Sequence, residues 1–202
     1  MQKNYTYLAL GDSYTIGESL PLSNSFPYQV CQFLRKKSIP VNAPEIIAKT
    51  GWTTDELSAA ITGYEFLEQY SFVSLLIGVN NQFRGRPVEE YKIEFESLLK
   101  KAIELANNKS EHVIVISIPD YSITPFADAL DKDKISKEID LYNSVNRAVS
   151  IQYKVHYIDI TLGSRRIKKV EKYIADDKLH PSEKVYKKWA EEVVEIIKPA
   201  LK

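Results

Sequence analysis

The sequence alternates between short apolar runs of strand length and longer segments whose apolar residues recur at helical spacing. Five runs have the length of a strand, at residues 5–10, 45–49, 72–77, 112–118 and 155–160. Alternating strands and helices are typical of a parallel sheet that helices cover on both faces, with right-handed crossovers. We therefore predict one α/β domain over residues 1–202, with three layers in the order α/β/α. The five-stranded parallel sheet is expected in the flavodoxin-like order 2-1-3-4-5.

The predicted helices follow the strands in turn. Their apolar stripes cover residues 26–37, 55–61, 88–106, 131–151 and 182–198, as expected for helices that pack one face on a core. Ser25 is the expected N-cap of the first of these helices, and Thr53 or Thr54 that of the second.

Composition excludes several kinds of protein. The 202 residues contain 27 Lys and Arg against 27 Asp and Glu, so the basic excess of a nucleic-acid-binding domain is missing. Cys31 is the only cysteine, which rules out an internal disulfide and a thiolate metal cluster. No His, Asp or Glu cluster has metal-ligand spacing, and no glycine-rich loop could cradle a phosphate. We expect a small-molecule ligand and neither a cofactor nor a metal. The sequence does not indicate the oligomeric state.

The sequence also indicates where in the cell the protein is expected. No apolar run approaches the roughly 18 residues that a membrane span needs, and the first residues lack the features of a signal peptide. The expectation is a cytoplasmic protein without membrane insertion.

Three informative residues follow the first three strands: Ser13, Gly51 and Asn80. The carboxyl ends of parallel strands lie at one edge of the sheet, where ligands bind in open α/β folds. In the predicted order strands 1, 2 and 3 are neighbours, so these residues can converge. Each also has a plain structural explanation, because Ser13 could cap a helix and Gly51 and Asn80 could simply form turns.

The residue types fit acyl transfer. A serine hydroxyl becomes a useful nucleophile when a base takes its proton, and the resulting oxyanion needs hydrogen-bond donors. The N–H groups of Ser13 and Gly51 and the Asn80 amide could supply three.

Among the three histidines, His180 is the candidate base. His112 begins a strand and is expected at the opposite edge, and His156 lies within the last strand. Asp177 precedes His180 by three residues, so a turn could place its carboxylate against one imidazole nitrogen while the other faces Ser13. Alternatively, Asp177 could be a local cap.

These blocks, Gly11-Asp-Ser, Gly51, Gly78-Val-Asn and Asp177-Lys-Leu-His, occur in order along nearly the whole chain. Together they resemble the SGNH (GDSL-type) hydrolase family of lipases and acylhydrolases. The resemblance implies the α/β/α fold, with Ser13 as nucleophile, His180 as base and Asp177 as its partner. It also implies an oxyanion hole formed by Ser13, Gly51 and Asn80.

Two positions depart from the family pattern. Tyr14 follows the serine where leucine is frequent, and Asn81 stands where the third block commonly has aspartate. The hydrogen bonds of that aspartate are therefore open to question, while we expect Asn80 to keep its oxyanion role.

The expected activity is that of a serine esterase that forms an acyl-enzyme. Lysophospholipids, thioesters, small-acyl esters and acetylated sugars all remain candidate substrates. The loops 82–87 and 120–126 are expected to line the site, where Arg84 and Arg86 could meet an anionic or polyhydroxylated substrate or simply be solvated. A catalytically silent binding module and a receiver or nucleotide-binding domain are the competing hypotheses.

Overall fold

The computed structural model describes residues 4–166 and 172–201. Within them lies a five-stranded, all-parallel sheet in the order β2-β1-β3-β4-β5, which confirms the predicted fold class. The strands are Tyr7–Asp12 (β1), Glu45–Lys49 (β2), Phe72–Leu76 (β3), Val113–Ile116 (β4) and His156–Ile158 (β5).

Strand ends differ from the prediction in one instructive place. β1 continues to Asp12, because Gly11 and Asp12 still pair with Ala48 and Lys49 of β2. The sequence prediction stopped the strand at Leu10, where its apolar run ends. Asp12 is instead fully buried at the carboxyl edge of the sheet, so the candidate nucleophile follows the strand directly.

Helices connect the strands as predicted, with short helical segments added. The helices are Ser13–Ile16 (α1), Phe26–Lys36 (α2), Thr54–Thr62 (α3), Val79–Phe83 (α4), Val88–Leu105 (α5), Lys132–Gln152 (α6), Thr161–Arg165 (α7) and Glu183–Ile197 (α8). The helix α2 packs against α8, while α5 packs against both α3 and α6. These two groups form the helical layers on either side of the sheet.

The sheet shows the burial expected of such layers. Every residue of β1, β3 and β4 is buried, whereas the edge strands β2 and β5 are partly exposed. A parallel sheet covered on both faces buries its central strands on both sides. The rigid centre of the molecule therefore supports the loops at the carboxyl edge.

The N-cap residues of α2 and α3 use their side chains differently. Thr53 precedes α3 and, together with Glu56, forms a capping box. Ser25 precedes α2, but its hydroxyl donates to the carbonyl oxygen of Leu22 at 2.8 Å and accepts no hydrogen bond from the N–H groups of the helix. Ser25 is therefore the N-cap residue of α2, as predicted, but its side chain makes no capping hydrogen bond.

Among the described residues, none of the helices has the length and apolar character needed to cross a lipid bilayer.

Candidate active site

Asp12, and not Ser13, caps the helix that begins where β1 ends. The Oδ1 atom of Asp12 accepts a hydrogen bond from the N–H of Tyr14 at 2.9 Å. Ser13 is the first residue of α1, so its hydroxyl is not needed for capping. Burial raises the pKa of the Asp12 carboxyl to about 7, although the hydrogen bond from Tyr14 opposes this shift.

Gly11 lets the polypeptide turn into α1 without a clash. A Cβ atom at Gly11 would lie 2.1 Å from Oγ1 of Thr15 and 2.4 Å from the carbonyl oxygen of Leu76. Any side chain would therefore push β1 away from β3 or displace α1. This close approach explains why glycine suits the position two residues before Ser13.

Ser13 and His180 meet although 167 positions separate them in the sequence. The Nε2 atom of His180 lies 2.9 Å from Oγ of Ser13. Only 4% of Ser13 and 6% of His180 is exposed to solvent. A ring contact with Tyr14, at 4.9 Å between centroids, packs one side of the imidazole.

Asp177 uses both of its carboxylate oxygens. Oδ1 accepts hydrogen bonds from the N–H groups of Leu179 and His180, each at 2.9 Å. Oδ2 lies 2.6 Å from Nδ1 of His180 and accepts a hydrogen bond from the Ser19 hydroxyl at 2.7 Å. Asp177 is thus both the local cap and the imidazole partner that the sequence offered as alternatives.

These contacts fix the charge on Asp177. Partial burial alone would raise its pKa, but the hydrogen bonds from the Leu179 N–H, Ser19 and His180 hold that pKa at about 2. The group is therefore a carboxylate at neutral pH, and a carboxylate can only accept hydrogen bonds. It follows that Nδ1 of His180 donates in this hydrogen bond, and Nε2 is the ring nitrogen that faces the Ser13 hydroxyl.

Gly51 and Asn80 line the same cleft as Ser13 and His180. Gly51 has a φ of +84°, in the left-handed region that favours glycine. The Asn80 amide donates to the carbonyl oxygen of Trp52 at 2.9 Å. An amide nitrogen has two N–H groups. One of them holds the turn after Gly51 through its bond to Trp52, and the second could bind a ligand. Asn80 lies in α4 and not in the simple turn that the sequence suggested.

Asn81 forms a buried pair with Thr54. Its Oδ1 accepts from the Thr54 N–H at 3.1 Å, and its Nδ2 donates to the Thr54 hydroxyl at 2.6 Å. The same hydroxyl donates its only proton to Glu94. An aspartate at position 81 could not donate to this hydroxyl, so asparagine is the side chain that suits a threonine already bonded to Glu94.

Arg84 and Arg86 both form ion pairs within the protein. From the sequence we expected them either to meet a substrate or to be solvated, and that expectation did not include these ion pairs. Arg86 pairs with Asp55 at 2.6 Å. Arg84 lies 3.2 Å from Glu56 and donates to the carbonyl oxygen of Gly51 at 2.7 Å. Arg84 therefore joins the carboxyl end of α4 to the loop that contains Gly51.

The other two histidines lie away from this cleft. His112 precedes β4, and its Nδ1 lies 2.7 Å from the carbonyl oxygen of Ser71, which immediately precedes β3. His156 begins β5 and is half-buried. Over residues 4–166 and 172–201, no cluster of three or more His, Cys, Asp or Glu side chains could hold a metal ion.

Two parts of the site were not found from the sequence. Ser19 gave no signal, because the 158 residues that separate it from Asp177 leave no recognisable spacing. The loops 82–87 and 120–126 were expected near the site, but not the contacts among Phe83, Tyr121 and Phe126 that line the cleft.

Comparison with known proteins identifies the family. The model of the GDSL-like lipase/acylhydrolase family matches residues 9–188. The chain belongs to this family. No protein with a curated description matches the sequence.

Solved structures share the fold of this GDSL-family chain. A lipase/acylhydrolase from Enterococcus faecalis aligns with a TM-score of 0.76 at 20% identity, covering 98% of this chain and 97% of that one. The acetylxylan esterase Axe2 from Geobacillus stearothermophilus gives 0.73 at 18%, covering 96% and 94%. The psychrotrophic esterase EstA from a Pseudoalteromonas species gives 0.66 at 18%, covering 98% and 99%.

At these identities the structural neighbours establish the fold and nothing finer. The family match adds the general chemistry, which places this GDSL-family chain among ester hydrolases.

Proposed function

We propose that this protein hydrolyses carboxylic esters through an acyl-enzyme on Ser13, with His180 and Asp177 completing a catalytic triad. The observation that supports this most is the hydrogen-bonded series from Asp177 to His180 to Ser13, with distances of 2.6 Å and 2.9 Å. A base oriented by a third group is the arrangement that activates a serine.

In the first half of the proposed reaction, Oγ of Ser13 bonds to the ester carbonyl carbon as its proton passes to Nε2 of His180. The carbonyl oxygen becomes an oxyanion, which the N–H groups of Ser13 and Gly51 and the amide of Asn80 stabilise. The intermediate collapses, the bond to the alcohol oxygen breaks, and His180 returns the proton to the departing alcohol.

In the second half, water attacks the acyl carbon and gives its proton to His180. The bond to Oγ breaks, the carboxylic acid leaves, and Ser13 regains its proton. Asp177 stays ionised throughout and stabilises the positively charged imidazole. Neither half-reaction calls for a metal or an organic cofactor, and the proposed partner is a small-molecule ester.

Hydrolysis of p-nitrophenyl acetate and labelling by a fluorophosphonate probe test the proposal together. Wild-type protein is expected to turn over the ester and to be labelled at Ser13. Ser13→Ala should lose labelling and lower kcat by at least about 10³-fold, since a triad works as a unit. Near-normal turnover by Ser13→Ala would disprove the mechanism, and folded wild-type protein that neither labels nor hydrolyses would favour a binding module.

A further inference from the structure

Three aromatic side chains form one side of the cleft beside Ser13. The rings of Phe83, Tyr121 and Phe126 contact one another pairwise, with centroids 6.1–6.3 Å apart. Phe83 is 55% exposed and Phe126 44% exposed, whereas Tyr121 is buried. We call these residues the aromatic wall, and no step of the proposed hydrolysis uses them.

The aromatic wall is fixed in place by its surroundings. The N–H of Phe126 donates to the carbonyl oxygen of Lys178, two residues before His180, at 3.1 Å. The Asp120 carboxylate, which precedes Tyr121, pairs with Arg165 at 2.7 Å and accepts from Ser136 at 2.8 Å. Its loop is thereby held to α6 and α7, so the wall is a preformed surface that needs little ordering on binding.

Phe83 connects this wall to the proposed oxyanion hole. It follows Asn80 by three residues on α4, a spacing that places two side chains on neighbouring parts of one helix face. The aromatic wall thus extends from the helix of Asn80 to the loop of His180.

The cleft is small and lacks acidic and strongly basic side chains. Its volume is about 130 Å³, and none of its lining residues is Asp, Glu, Lys or Arg. Pockets for drug-sized ligands occupy about 300–1,000 Å³.

We propose that the aromatic wall limits this enzyme to esters of short, uncharged acyl groups. The inference rests on the proposed function. Because the acyl group stays bonded to Ser13 while the alcohol leaves and water enters, we assign the cleft beside Ser13 to the acyl group. Phe83 and Phe126 are then residues that determine acyl-chain length.

The test compares kcat/KM on p-nitrophenyl acetate, butyrate, hexanoate and octanoate, which differ in the acyl group alone. In an open apolar groove each added methylene would raise kcat/KM about fourfold through burial. For this cleft we expect the maximum at acetate or butyrate and a fall of about tenfold or more by octanoate. A rate that rises steadily to octanoate would overturn the inference.

Phe126→Ala tests the wall directly. Shortening this side chain should reduce the fall between butyrate and octanoate to about threefold or less, and Phe126→Leu should be intermediate. Tyr64→Ala is the matched control, because Tyr64 is 43% exposed and packs on another aromatic ring, Phe66, outside the cleft. Melting temperatures identify any variant that fails to fold.

The outcomes separate the two proposals. If wild-type protein hydrolyses none of the four esters, the proposed function fails. If it hydrolyses them and Phe126→Ala leaves the chain-length profile as steep as Tyr64→Ala does, only the role of the aromatic wall is refuted.

Discussion

The Ser19 hydroxyl donates to Oδ2 of Asp177 at 2.7 Å, and this is the oxygen that also contacts Nδ1 of His180. Ser19 adopts a φ of 65°, in a region that few residues other than glycine occupy. The turn after α1 therefore holds Ser19 in an uncommon conformation from which its hydroxyl reaches the Asp177 loop. We interpret Ser19 as a positioning residue for the proposed triad.

Ser19→Ala is expected to lower kcat about tenfold with little change in KM, because a hydrogen bond to a charged group is worth about 1.5–3 kcal/mol. Loss of this bond should also bring the pKa of Asp177 closer to its ordinary value of 3.8. A carboxyl with a lowered pKa stabilises the fold above its unfolded-state pKa, and this contribution is lost as the pH falls through the folded-state pKa. Urea unfolding should therefore show the variant less stable above about pH 4, with a difference that shrinks as the pH falls through about 2.

Ser19→Gly is the control for backbone strain. It removes the same hydroxyl but suits a positive φ, so it should be more stable than Ser19→Ala by about 1 kcal/mol. Equal losses of kcat in the two variants would assign the effect to the hydroxyl. A loss confined to Ser19→Ala would assign it to the backbone and contradict the positioning role.

Asn81→Asp restores the residue common in the family and is nevertheless expected to destabilise this protein. The introduced carboxylate and Glu94 would both need the single proton of the Thr54 hydroxyl, and the unsatisfied buried group costs about 1–3 kcal/mol. Glu94→Gln should cost little by itself but recover about 1 kcal/mol or more in the double variant. Chemical denaturation of the four proteins measures this coupling, and additive changes would refute the explanation.

Arg84→Ala tests the link between α4 and Gly51. The hydrogen bond from Arg84 holds the Gly51 carbonyl, so its removal should loosen one proposed oxyanion donor and lower kcat about tenfold, with KM less affected. Arg84→Lys should keep most of the rate. Arg147→Ala provides the comparison, since Arg147 is exposed on α6 and packs on Tyr157. If Arg84→Ala and Arg147→Ala have equal kcat and KM values, Arg84 does not support the proposed oxyanion donor at Gly51.

Asp12→Asn should gain stability relative to wild type as the pH rises. Burial raises the pKa of Asp12 from 3.8 to about 7. A carboxyl with a raised pKa favours the fold at low pH, and that stability is lost as the pH rises from its unfolded-state to its folded-state pKa. Asparagine keeps the Oδ1 acceptor for Tyr14 but has no charge. The stability of Asp12→Asn relative to wild type should grow between about pH 4 and 7 and then level off; a constant difference would contradict this account.

Sequence patterns predicted the sheet well because its central strands are continuous apolar runs. They predicted strand ends less well, since Gly11 and Asp12 join β1 through backbone pairing that hydrophobicity does not report. The short helix Val79–Phe83 was missed because five residues contain too little periodicity. Tertiary contacts, and not local propensity, define such segments.

In the candidate site, too, the sequence predicted some features and missed others. Ser13, Gly51 and Asn80 were expected together because the parallel topology brings strand ends to one edge. Their catalytic roles remain predictions until the variants are measured. The hydrogen bond from Ser19 and the aromatic wall depend on how loops fold over the sheet, and spacing in the sequence does not encode that.

The contact between Ser13 and His180 joins residues 167 positions apart, and Glu183 of α8 accepts hydrogen bonds from the side chains of Asn24 and Gln29. A ribosome makes Ser13 long before His180, so every shorter nascent chain has a serine without its imidazole. If the proposed mechanism holds, the growing polypeptide stays hydrolytically silent until His180 has been synthesised. Esterase activity would then begin only when His180 reaches Ser13, which makes turnover a direct signal that these two distant segments have come together.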